Sequence, residues 1–116
     1  MWILEYSISA DVPEKPAGEK GGSFPELYGK FKENNVFLYE PKSLYLTYDS
    51  HVLIKIAVPS AISVAVIMGK SVEQLSRSGD VFQGDITVRA DTVFVCGNFS
   101  GREGDYDVLL HYLVKQ

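Results

Sequence analysis

Between residues 51 and 114 the chain runs as strand after strand, with turn residues in the gaps and no helix-length segment separating them. The segments 51–58, 62–68, 82–88, 91–96 and 106–114 are rich in Val, Ile, Leu, Tyr and Phe, in alternating or continuous apolar patterns. Such runs, bounded by Pro, Gly, Ser and Asp, mark strands, and strands at this spacing without intervening helices imply an all-β sandwich or barrel. Shorter runs at 36–39 and 44–48 precede them, separated by Pro41, which belongs on a sheet edge or at a bulge because it cannot donate to a ladder. About seven to eight strands in one chain of 116 residues predict an immunoglobulin-like antiparallel β-sandwich. The Cys…Trp…Cys hallmark of antibody domains is absent, since Trp2 is the only tryptophan.

The chain divides unevenly. Trp2, Leu4, Tyr6 and Ile8 alternate with mostly polar neighbours and read as an N-terminal edge strand, and the Pro/Gly-rich stretch 11–23 reads as a flexible linker. Residues 1–23 are thus assigned to a detachable strand and linker, and 24–116 to the sandwich. Aromatics at 24, 28 and 31 predict an irregular or helical segment that plugs one end of the sandwich. Residues 71–76 read as a weak strand or a single helical turn.

Charge narrows the function classes. A net charge of −4 without any Lys/Arg cluster argues against nucleic-acid and anionic-membrane partners. No segment approaches the length of a membrane span, and the N-terminus lacks the basic region of a signal peptide, so a soluble, cytoplasmic protein is expected. With one cysteine there is neither an internal disulfide nor a cysteine-based zinc site, and no cofactor is expected.

Candidate chemistry is sparse. Cys96 with His51 or His111 would need a base and an orienting group, but it lies mid-strand, where a packed and inert thiol is expected. The two histidines lack metal-ligand spacing. Asp105 and Asp107 share a strand face and look outward together, so they do not face each other across a cleft as glycosidic chemistry requires. Asn98-Phe99-Ser100 matches a glycosylation acceptor pattern, read here as coincidence. Of the many aromatics, Phe82, Phe99, Tyr106 and Tyr112 are expected inward, whereas Tyr28, Tyr45 and Tyr48 are unaccounted for and could stack on sugar.

The feature with most functional weight is apolar excess. The runs around Ile67, Phe94 and Leu110 are apolar on both faces, whereas 82–88 alternates as a sheet with one wet face should. In the expected fold these three runs lie side by side, so Ile67, Phe94, Cys96, Leu109, His111 and Leu113 would merge into one outer patch. Soluble monomers seldom expose so large an apolar area, which predicts a cover: a protein partner, a neighbouring domain, the N-terminal strand or a second copy of the chain. Ile67, Phe94, Leu109, His111 and Leu113 are therefore the expected partner-binding residues of a non-catalytic module. Carbohydrate binding through exposed aromatics is the alternative.

The segments Phe24-Pro-Glu-Leu-Tyr-Gly-Lys-Phe31, Val36-Phe-Leu-Tyr-Glu-Pro41 and Val52-Leu-Ile-Lys-Ile-Ala-Val-Pro59, with the closing Gly104-Asp-Tyr-Asp-Val-Leu-Leu-His-Tyr-Leu-Val114, resemble the β-domain that follows the peptidase core of kyphoscoliosis-peptidase-like, transglutaminase-like proteins. That resemblance implies an immunoglobulin-like accessory domain. The catalytic Cys-His-Asp core of such proteins has no counterpart here.

Overall fold

The computed structural model describes residues 24–116. The expected strand at 1–10 and linker at 11–23 lie outside the described residues. Ten strands and one short helix follow in order: β1 (Glu26–Leu27), α1 (Gly29–Glu33), β2 (Phe37–Glu40), β3 (Tyr45–Thr47), β4 (His51–Ala57), β5 (Ser63–Met68), β6 (Ser71–Gln74), β7 (Ser76–Ser78), β8 (Val81–Thr87), β9 (Thr92–Asn98) and β10 (Asp107–Lys115). They form an all-β sandwich of two sheets. The larger runs β1-β10-β9-β5-β6, with β3 also pairing β10, and the smaller runs β2-β4-β8-β7. Pairing is antiparallel except between β3 and β10, which run parallel. The total exceeds seven to eight because several edge elements are only two to four residues long.

Alternation decides what is buried. Val64, Val66 and Met68 of β5, Val93 and Val95 of β9, and Leu110 and Tyr112 of β10 meet Leu38 of β2, Ile54 and Ile56 of β4, and Phe82 and Ile86 of β8 in one core. Each such side chain contributes roughly 1.5–3 kcal/mol when fully withdrawn from water. Two hairpins have two-residue turns, Gly69-Lys70 and Gly79-Asp80, and their first residues take φ of 57° and 63°. Tight hairpin turns demand that left-handed backbone, which glycine adopts without a Cβ clash.

The uncertain stretch 71–76 divides into two strands in different sheets. Leu75 is the hinge between them. Its N–H donates to the Val64 carbonyl at 2.9 Å, and its side chain belongs to the core. Gly84 of β8 leaves room for it: a Cβ there would lie 3.0 Å from a Leu75 methyl. The aromatic segment at 24–31 becomes β1, paired with β10, and then α1, whose Phe31 is buried. Tyr112 fastens the opposite layer, its hydroxyl donating to the Pro41 carbonyl at 2.7 Å.

Candidate functional site: the outer face of the larger sheet

Register across β5, β9 and β10 places the outward side chains in rows. Ile67 lies opposite Phe94, and Phe94 opposite His111, which in turn lies opposite Glu26 of β1. Val72 of β6 extends that row beyond Ile67. In the next row Leu113 lies between Thr92 and Tyr45. Ile67, Phe94, His111 and Leu113 are each half-buried, while Val72, Tyr45 and Tyr28 are exposed. Four of the five expected partner-binding residues therefore share one face.

Leu109 does not, and this corrects the sequence reading. A β-bulge between Val108 and Leu110 sets two residue steps of β10 against one step of β9, Val108 facing Cys96 and Leu110 facing Val95. The extra residue flips the alternation. Leu109 is 0 % exposed and joins the core beside Leu110, and His111 resumes the outward face. Pure alternation through a run apolar on both faces cannot locate such a bulge.

His111 is the polar centre of the face. Its side chain is only 13 % exposed. Its Nε2 approaches Glu26 Oε1 at 3.3 Å, and its Nδ1 lies 2.9 Å from the Tyr28 hydroxyl. The Tyr28 contact has hydrogen-bond geometry, with donor and acceptor set by the imidazole tautomer, whereas the Glu26 contact is one of proximity that becomes an ion pair when the ring is protonated. The rings of Phe94 and Tyr28 flank it, with centroids at 5.3 and 5.6 Å, tilted by 50° and 54°. The imidazole thus adds side-chain contacts to the backbone pairing and the Tyr28 N–H to Leu109 carbonyl bond that hold β1 and the start of α1 on β10.

Cys96, expected within the open patch, lies on the outer face but is 2 % exposed. It sits in register between Ala65, itself buried, and Val108. At this end of the face Gln74 of β6 donates to the Tyr106 hydroxyl. Tyr106, expected inward, is instead engaged with an edge strand. Burial, followed by the nearby Asp107 carboxylate, pushes the Cys96 thiol up to about 11. A thiolate is the species that attacks, so this environment disfavours nucleophilic chemistry at neutral pH. Neither histidine is hydrogen-bonded to Cys96 among the described residues. His51 sits in the smaller sheet, its Nδ1 3.0 Å from Thr87 Oγ1.

The remaining polar motifs have structural partners. Asn98 is buried and both amide atoms are engaged: Nδ2 donates to the Arg102 carbonyl at 2.7 Å, and Oδ1 accepts from the Gly101 N–H at 2.8 Å. Asp105 accepts from Ser100 Oγ at 2.6 Å and Arg102 Nη2 at 3.1 Å, which hold its carboxyl below the ordinary aspartate value. Among the described residues no group of three or more His, Cys, Asp or Glu side chains is placed to hold a metal ion. None of their helices is long and apolar enough to cross a membrane.

No protein-family model matches the chain, and no curated protein sequence matches it.

Proposed function

We propose that this is a non-catalytic, immunoglobulin-like β-sandwich that makes protein–protein or interdomain contact through the outer face of its larger sheet. The observation that carries this reading is the contiguous row of half-buried Ile67, Phe94 and His111 edged by exposed Val72, with Leu113 and Tyr45 beside it. A partner patch mixes aliphatic and aromatic side chains around a few polar anchors, and the Glu26–His111–Tyr28 cluster supplies those anchors. The strand order supports the immunoglobulin-like reading. With β2, β4, β5, β6, β7, β8, β9 and β10 in the places of strands A, B, C, C′, D, E, F and G, the sheets read A-B-E-D and C′-C-F-G. The proposal agrees with the accessory-domain role that the resemblance to transglutaminase-like proteins implies.

Site-specific photo-crosslinking tests it. Phe94→p-benzoylphenylalanine, irradiated in cells expressing the protein, should trap one discrete partner or a second copy. The same group at Glu103, in the turn before β10, should trap none. An uncrosslinked Phe94 variant, or equal trapping from both positions, would overturn the proposal.

A further inference from the structure

We propose that the β2 edge of the smaller sheet is a second contact surface, fitted to an extended, acidic segment of a protein partner. Phe37 and Tyr39 stand outward on β2 at 45 % and 43 % exposure, although each is large and apolar. Their rings meet edge to face, with centroids 4.8 Å apart and an interplanar angle of 75°. Lys42 Nζ lies 5.6 Å from the Phe37 ring centre, and Lys55 Nζ lies 4.9 Å from that of Tyr39. Two cations over two adjoining rings make one cluster at a sheet edge, on the opposite side of the sandwich from the His111 face.

Charge argues for the occupant. Neither lysine joins an ion pair among the described residues. Glu40 lies opposite Lys55 in the β2–β4 register, yet the ammonium sits over Tyr39. In a protein of net charge −4 this is a local excess of positive charge wrapped around apolar surface. A carboxylate can approach the outer side of either ammonium while an apolar neighbour covers a ring. Shape argues for an extended chain. Among the described residues β2 is the terminal strand of its sheet, and its two outward rings lie together along it, 4.8 Å between centroids, at the register irregularity between Leu38 and Glu40. A strand laid alongside can set one apolar side chain on the ring pair and its next same-face side chain, roughly 7 Å on, toward a lysine. The edge-on rings give no flat double platform for a sugar.

Titration of the isotope-labelled chain with a capped hexapeptide alternating Glu and Leu tests this by NMR. At about 0.15 M salt the Debye length of roughly 8 Å screens the remote acidic charges and leaves contact pairs effective. Shifts should cluster at Phe37, Tyr39, Lys42 and Lys55. Lys42→Gln with Lys55→Gln should weaken binding about five- to tenfold, and Glu40→Gln should tighten it about twofold. A Lys/Leu peptide should not bind. Absence of shifts, shifts centred on β6 or the His111 face, indifference to the lysine substitutions, or tighter binding of a sulfated oligosaccharide of equal charge would each overturn the inference.

Discussion

Cys96 shows how burial decides the character of a side chain whose chemistry is otherwise suggestive. Its thiol is raised from 9.0 to about 11 by desolvation and then by Asp107. The thiol form therefore contributes stability that is whole below pH 9 and is lost as the pH rises through 11. Cys96→Ala should cost about 1–2 kcal/mol at neutral pH, and the gap to the parent protein should narrow across that alkaline window in urea titrations. A thiol reagent at pH 8 should label the native protein only as fast as it opens. Rapid labelling would restore the cysteine as a candidate nucleophile. Asp105 has the opposite sign. Its carboxyl is lowered from 3.8 by Ser100 and Arg102, so its contribution is present above that value and is lost as the pH falls below it. The stability difference between the parent and Asp105→Asn should close as the solution is acidified; a difference that persists at low pH would show that the charge is not the source.

At the scale of elements, the long strands and the short runs that became β2 and β3 were legible in the sequence, and the shortest edge pieces were not. β4, β5, β8, β9 and β10 each carry enough apolar or alternating residues to announce themselves, and they fall within a few residues of their expected limits. β1 and β7 are two or three residues long and exist because a neighbouring strand supplies hydrogen bonds, which local composition does not encode. The division of 71–76 between two sheets depends on Leu75 meeting Gly84, a contact between distant parts of the chain. The Leu109 bulge is hidden for a related reason: Val108, Leu109 and Leu110 are interchangeable in pattern, and only pairing with β9 decides which one is extra. β10 is also the element on which the layers converge. Tyr112→Phe should cost about 1–2 kcal/mol, since it leaves the Pro41 carbonyl without the hydroxyl that reaches it. An unchanged urea midpoint would show that this bond contributes nothing net.

At the scale of the molecule, the account rests on a partition. One layer of apolar side chains lies between the sheets and holds the fold together, and a second lies half-buried on the outside of the larger sheet, the contact face we propose. The sequence made the excess visible, since three strands carry more apolar residues than a sandwich with wet outer faces needs. It placed Ile67, Phe94, His111 and Leu113 on the same face, and it misassigned Leu109 because alternation does not survive a bulge. The Glu26–His111–Tyr28 cluster was not legible, because its members are brought together by the pairing of β1 with β10. Equilibrium urea denaturation of Leu109→Asp beside Leu113→Asp tests the partition most directly. Leu109→Asp buries a carboxylate in the core and should cost roughly 4 kcal/mol or more, enough to unfold much of the protein. Leu113→Asp should stay folded, within about 1 kcal/mol of the parent. Tolerance of Asp at 109, or unfolding by Asp at 113, would contradict the division between core and contact face.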